Sequence, residues 1–295
     1  MENKYKFAFF GTPRFSAIVL DELKTHGFLP ALIVTAEDKP KGRKFLLTPP
    51  EAKIWAEKNN VPFVQLKTLR KPESIEVINS FCPMSDIGQK CWDVFIVASY
   101  GKLLPQEILD MPKRETLNVH PSLLPKLRGA SPIKSAILYE FETGVTIMHL
   151  DIEIDHGPIL TQKKIISWEN DLNNIPYEED LENLLAHEGG KLLAEVLPDW
   201  IDGKIKEKEQ DHSLATLCGK IEKENGELNL TDNAETNLRK VRAFHRWPTA
   251  YFFKNNKRVI VKRARIENNE LILDRVIPEG KKEMLYSDFL KGQKG

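Results

Sequence analysis

The stretch Asp93-Val-Phe-Ile-Val-Ala98 does most to limit what this chain can fold into. An unbroken apolar run of strand length belongs in a sheet covered on both faces, because a half-exposed strand would alternate apolar and polar positions. Segments of strand and helix character alternate around it. Residues 6–10 read as a buried strand, and residues 15–23 follow with Phe15, Val19 and Leu23 at helical spacing. Residues 31–34 form the next strand, and residues 51–58 a helix started by Pro49-Pro50. Further on come a short strand (117–120), a helix (133–140), two strands (145–150 and 159–166) flanking the turn Asp155-His-Gly-Pro158, and a long helix (178–200).

This β-α-β order predicts an α/β fold, a Rossmann-like, mostly parallel open sheet with helices on both faces. The remainder differs in kind. Asp202-Gly203 and the polar residues 204–211 read as a linker. A helix over 234–244 stops at Trp247-Pro248. Three short strands follow (250–253, 259–261 and 271–276), separated by Asn255-Asn256 and Asn268-Asn269. A length of 295 residues suits two domains. The expected boundaries are a first domain over 1–203, a linker over 204–211 and a small C-terminal β domain over 212–295.

Lys plus Arg and Asp plus Glu both number 43, so no chain-wide basic balance points to nucleic acid. The charges are segregated, however. Residues 1–204 hold 24 basic and 29 acidic side chains, and residues 205–295 hold 19 and 14. Between Arg239 and Arg265 ten Lys/Arg occur without an acid, which favours an anionic partner for the second domain over a merely solvated face. No run approaches the ~18 apolar residues of a membrane span. Three cysteines, Cys82, Cys91 and Cys218, are too few for a disulfide framework, so a reducing, cytoplasmic setting and no membrane are expected. Cys82 and Cys91 lie nine apart with no second pair, so no metal is expected.

The first strand-to-helix turn, Gly11-Thr-Pro13, is not a phosphate-cradling glycine loop. Attention therefore moves to the carboxyl ends of later strands, where such sheets bind ligands. Asn118 and His120, two apart in a strand, face one side. Taken alone, the pair reads as ordinary strand-end polar residues, and Asp155 before His156-Gly157 reads as turn chemistry. If that turn folds over the strand end, an amide donor, an imidazole and a carboxylate converge, a set suited to acyl transfer. No G-x-S-x-G nucleophile turn occurs, so direct attack by a substrate amine is the simpler assignment.

These residues resemble the core of the folate-dependent formyltransferases. The resemblance runs through Asn118-x-His120, Ser122-Leu-Leu-Pro-Lys-Leu-Arg128-Gly-Ala-Ser-Pro132-Ile133 and Asp155-His-Gly-Pro-Ile159. It extends to Phe9-Phe-Gly-Thr-Pro13, Lys39-Pro-Lys-Gly-Arg43-Lys44, Ser99-Tyr-Gly-Lys-Leu-Leu-Pro105, residues 220–226 and Arg242-Ala-Phe-His-Arg-Trp247-Pro248, covering nearly the whole chain. It implies that Asn118 and His120 polarise the formyl group of 10-formyltetrahydrofolate. Asp155 would bond to His120 and take the proton from the attacking amine. Tyr100, Gly101, Leu103 and Leu104, with Ser122, Leu123, Leu124 and Pro125, would line the folate cleft. Leu103, Leu104, Leu123 and Leu124 also read as core.

Within the family the likeness is nearest to members that formylate the α-amine of initiator methionyl-tRNA. Arg43 and Lys44, with Arg242, Lys257, Arg258, Lys262 and Arg263, would then meet tRNA, and the chain would act as a monomer. The resemblance implies a C-terminal OB-like barrel, shortened here between Ile260 and Pro278, and marks residues 81–92 as an insertion without an assigned role. His149 and His156 read as strand-face or exposed-turn histidines. The competing functions are an N-formyltransferase acting on an amino-sugar nucleotide or other small amine, and a non-catalytic RNA-binding protein on the same fold. The basic run argues against the first, and the intact trio against the second.

Overall fold

The structure is a computed structural model that describes residues 4–42, 45–82, 90–168 and 171–292. In chain order its elements begin with β1 (Phe7–Gly11), α1 (Arg14–Thr25), β2 (Leu32–Thr35), β3 (Lys39–Lys41), β4 (Leu46–Thr48), α2 (Glu51–Lys58), β5 (Phe63–Gln65) and α3 (Pro72–Ser80). They continue with β6 (Val94–Ala98), α4 (Gln106–Leu109), β7 (Thr116–His120), β8 (Arg128–Gly129), α5 (Pro132–Tyr139), β9 (Glu142–His149), β10 (Ile159–Ser167) and α6 (Glu178–Ile201). The rest are β11 (Leu217–Cys218), α7 (Ala234–Ala243), β12 (Tyr251–Lys254), β13 (Lys257–Glu267), β14 (Glu270–Pro278), β15 (Met284–Leu285) and α8 (Tyr286–Lys291).

The main sheet has seven strands in the order β10-β9-β7-β6-β1-β2-β5. β5, β2, β1, β6 and β7 run parallel, and β9 pairs antiparallel with β7. Every residue of β1, β6 and β7 is buried, as the apolar sequences of β1 and β6 require, and β7 buries Thr116, Asn118 and His120 among its apolar residues. The strand at the far edge, β10, is half exposed and carries Lys163 and Lys164, charges that discourage further strand pairing.

The strand order reverses between β1 and β6. That is where an open α/β sheet leaves a crevice at the carboxyl ends of its strands. Ser16 ties the two strand ends together: its hydroxyl donates to Ala98 O (2.6 Å) and accepts from Thr12 N (2.9 Å), while Thr12 Oγ1 donates to Tyr100 O (3.2 Å). A side chain at Gly11 would collide with Ser16, so the close turn needs glycine there.

The C-terminal strands form an antiparallel sheet in the order β12-β13-β14-β15. Both expected Asn-Asn turns are present. Asn255, Asn256, Asn268 and Asn269 all have positive φ, the backbone that a two-residue hairpin of the right twist demands. β13 runs from Lys257 to Glu267, well beyond its apolar centre: Val259, Val261 and Ala264 are buried, Ile260 is half-buried, and Lys262 and Arg263 separate Val261 from Ala264. α7 is capped by the Asn233 side chain, which accepts from Thr236 N (2.8 Å).

Packing divides the chain into two units that interleave along the sequence. One holds Met1–Arg128, Gly144–Ile165 and Asn183–Thr216, and the other Gly129–Thr143, Ile166–Glu182 and Leu217–Gly295. α5 packs on α7 in the second unit, where Arg239 reaches back to donate to Ile137 O (2.7 Å) and Glu140 O (2.8 Å).

One expectation needs correcting. Cys82 and Cys91 are joined in a disulfide, their Cα atoms 5.6 Å apart. Spacing in sequence concealed this, because the end of α3 and the approach to β6 bring the two ends of the insertion together, with Cys82 fully buried in the apolar core beside Trp92. Cys218 is the remaining thiol and is buried.

Candidate active site

β7 delivers Asn118 and His120 to the carboxyl end of the sheet, and the turn after β9 delivers Asp155. Asn118 Nδ2 donates to Asp155 Oδ1 (3.3 Å), and His120 Nδ1 lies 3.6 Å from the same oxygen. Both β7 residues are buried. The three groups foreseen in the sequence therefore meet. His120 Nε2 lies 3.0 Å from Leu127 O. A carbonyl can only accept, so Nε2 carries the hydrogen and Nδ1 is the nitrogen turned towards Asp155.

The Asp155 turn is held tightly. Asp155 itself has φ +50, and a side chain on Gly157 would strike His149 O. Gln210 Nε2 donates to Asp155 O (3.0 Å) and Gly157 O (2.7 Å). Its own oxygen accepts from Arg128 Nε (3.1 Å) and Nη2 (2.7 Å), and Arg128 Nη2 also meets His212 Nδ1 at 2.9 Å. Arg128 and Gln210 are both buried. The polar stretch 204–211 expected as a linker thus carries a buried amide that fixes the Asp155 turn.

Nothing local in the chain marks Gln210, because its partners lie 53, 55 and 82 residues away. Thr146 and Gln162 were missed for the same reason. Gln162 donates to Leu124 O (2.9 Å) and to Thr146 Oγ1 (2.7 Å), and Thr146 donates to Ser122 O (2.7 Å). The available signal was a polar residue inside the apolar run Val145-Thr-Ile-Met148.

The expected folate-lining residues divide by exposure. Ser122 is fully buried and its hydroxyl donates to Lys126 O (2.7 Å), which holds the loop. Leu124 is buried and Leu123 and Pro125 are half-buried. Tyr100 packs edge-on against Phe10, and burial pushes its phenol far above the usual range. Leu104 is buried, whereas Leu103 is 59% exposed beside the exposed Gly101 (φ +79). Leu103, Gly101 and the half-buried Leu123 and Pro125 therefore remain open to contact, while Tyr100, Leu104, Ser122 and Leu124 form their support.

The expected tRNA-facing residues also divide. Arg43 and Lys44 lie outside the described residues. Arg242 is stacked on Tyr177 with its guanidinium carbon 4.1 Å from the ring centroid, and burial lowers its pKa. Arg258 stacks on Tyr251 at 3.8 Å and donates to Thr249 Oγ1 (3.2 Å). Lys262 donates to His245 O (2.8 Å), and burial lowers its pKa. Lys257 and Arg263 are exposed. Other members of the basic run find acids from outside it: Arg246 meets Glu178 and Glu182, Arg265 meets Asp274 and Glu267, and Arg239 meets Glu235.

A doubly wound sheet with an Asn-His-Asp site at its carboxyl edge and a small antiparallel domain after it defines a class, the formyl-transferring enzymes, and comparison with known proteins agrees. The chain belongs to the formyl transferase family: residues 5–197 match the formyl transferase domain and residues 220–271 the formyl transferase C-terminal domain. It is 35% identical to the methionyl-tRNA formyltransferase of Halalkalibacterium halodurans, over 97% of this chain and 94% of that one. It is 40% identical to the protein of the same name from Thermotoga maritima, over 86% and 77%. Solved structures with the same fold include a methionyl-tRNA formyltransferase from Clostridium thermocellum (TM-score 0.57, 15% identity, 93% and 98% covered). A 4-N formyltransferase from Francisella tularensis also shares the fold (TM-score 0.65, 17% identity, 89% and 98% covered). Among the described residues no helix is long and apolar enough to cross a membrane.

Proposed function

We propose that the chain transfers the formyl group of 10-formyltetrahydrofolate to the α-amine of initiator methionyl-tRNA, in the cytoplasm and as a monomer. The observation that carries this reading is the convergence of Asn118, His120 and Asp155 at the carboxyl end of β7. An α-amine titrates near 7.7–8.0, so a substantial fraction is neutral and nucleophilic near pH 7.5. Placement and charge stabilisation are then the enzyme's main tasks.

The amine attacks the formyl carbon, and the carbonyl oxygen becomes an oxyanion. Asn118 Nδ2 donates to it, a contribution of about 3–4 kcal/mol for a well-placed donor. The Asp155 carboxylate accepts the proton of the amine, directly or through water, and hands it to the adjacent His120 Nδ1. The imidazolium so formed stabilises the oxyanion and then gives that proton to the departing folate nitrogen as the carbon–nitrogen bond breaks, which returns His120 and Asp155 to their starting forms. Leu103 and Leu123 supply apolar contact for the folate, and Lys257, Arg263, Arg43 and Lys44 supply cations for the tRNA.

The test mixes the protein with 10-formyltetrahydrofolate and either methionyl-tRNA or small amines, amino-sugar nucleotides among them, and follows release of tetrahydrofolate. Formylation of methionyl-tRNA is expected. Turnover with small amines alone would overturn the reading.

A further inference from the structure

Three ligating atoms gather at the opposite end of β7 from the active site. Glu115 immediately precedes β7, His149 ends β9 opposite Leu117, and Glu207 comes from the polar stretch after α6. His149 Nδ1 lies 3.1 Å from Glu115 Oε2 and 3.4 Å from Glu207 Oε2, and the three ligand atoms lie within 4.8 Å of one another.

The arrangement is not an ordinary charge pair. His149 Nδ1 and Glu207 Oε2 are buried atoms of half-buried side chains, Glu115 is exposed, and neither buried atom makes a hydrogen bond of good geometry among the described residues. An imidazole N–H aimed at either carboxylate would have made such a bond. Instead two like charges and one ring nitrogen surround a common point. The distances suit a shared cation. With metal–ligand bonds of about 2.0–2.2 Å, neighbouring ligand atoms in tetrahedral or octahedral coordination lie about 3.0–3.5 Å apart, and the two contacts to His149 are 3.1 and 3.4 Å.

We propose that Glu115, His149 and Glu207 bind a divalent transition-metal ion of the zinc type, separate from the catalytic trio. An imidazole with two carboxylates selects for such an ion over magnesium or calcium, which take oxygen ligands. Three protein ligands leave room for water. The ion acts as a clamp on the polar stretch after α6. That stretch is otherwise held to β10 by the Lys208–Ile159 bridge, and its Gln210 fixes the Asp155 turn.

The test is titration calorimetry of the full, tag-free chain with zinc chloride alone and, separately, with magnesium chloride, paired with thermal unfolding. One zinc ion per chain is expected to bind, with no magnesium signal, and zinc should raise the unfolding temperature. His149→Ala and Glu207→Gln should each weaken zinc binding by roughly tenfold or more and remove the thermal shift. Two variants are used so that a folding defect in one does not decide the outcome, and circular dichroism checks each. Zinc binding equally tight in both folded variants would overturn the proposal. So would the absence of binding to the unaltered chain at about 100 µM free zinc, which would leave His149 as a charge partner of the two acids.

Discussion

At the scale of single residues, the chemistry rests on where one carboxylate is held. Asp155 sits within reach of both Asn118 Nδ2 and His120 Nδ1, so replacing it by Asn removes the base and the charged partner of the imidazolium while leaving an oxygen that can still accept from the amide. Asp155→Asn is expected to lower turnover by about a hundredfold or more while folate affinity stays within about twofold, because the lost interactions belong mostly to the transition state. Single-turnover formylation and equilibrium folate titration measure the two quantities separately. A variant with near-normal turnover would remove Asp155 from the reaction. Asn118→Ala is expected to behave in the same way through loss of one oxyanion donor. At this scale the sequence was legible as a set of types and incomplete as a site. Asn118 and His120 could be paired from strand periodicity, but the identity of the nitrogen facing Asp155 depends on Leu127 O accepting from the other one.

At the scale of elements, the active-site turn is only as rigid as the segment that closes over it. Gln210 bonds two carbonyls of that turn and neutralises none of the charge on Arg128, whose guanidinium is buried against the same amide. Gln210→Leu should therefore do two separable things. Turnover should fall by roughly tenfold with KM little changed, since a loosened Asp155 costs transition-state geometry more than binding. Stability should fall by about 3 kcal/mol, because a buried cation loses its partner. The double variant Arg128→Met, Gln210→Leu should recover much of the stability and none of the turnover, as removing both partners leaves no orphaned charge. Chemical denaturation and steady-state kinetics on the three proteins check this, and a double variant with restored turnover would show that the amide does not position the turn.

Periodicity made most elements readable: α2 runs from Glu51 to Lys58 as expected, and α1, β6, β7 and α7 fall within a residue or two of their predicted ends. It failed for β5, whose three residues are all half-buried at the sheet edge, and for α3, where only Ser74 and Ile78 are buried and the apolar signal is thin. It also failed wherever the stabilising partner was remote, as with Gln210, Gln162 and the Cys82–Cys91 bond.

At the scale of the whole molecule, charge in sequence and charge available to a partner are different quantities. Ten cations without an acid between Arg239 and Arg265 point to an anionic partner, but they are spread over a helix end and two strands and need not share a face. Folding gives several of them internal duties instead: Arg239 is buried against two carbonyls and Glu235, Arg246 lies on Glu178, Arg265 on Asp274 and Glu267, and Arg242 and Arg258 lie over aromatic rings. Arg239→Met should accordingly destabilise the fold by about 1–3 kcal/mol, as the loss of hydrogen bonds at buried carbonyls predicts, with little specific effect on tRNA affinity once corrected for the folded fraction. The exposed Lys257 and Arg263 carry the opposite expectation. Each cation that meets a phosphate releases condensed counterions, so the log–log dependence of affinity on salt has a slope of about −0.9 per contact in duplex regions. Lys257→Gln with Arg263→Gln should weaken tRNA binding, flatten that slope by up to about two contacts, and leave thermal stability and the rate at saturating tRNA nearly unchanged. A salt titration of tRNA binding alongside saturation kinetics reads all of these. An unchanged slope would mean that these two cations only solvate the surface, and would shift the expected contact to Arg43 and Lys44, where Arg43→Gln with Lys44→Gln is the corresponding variant.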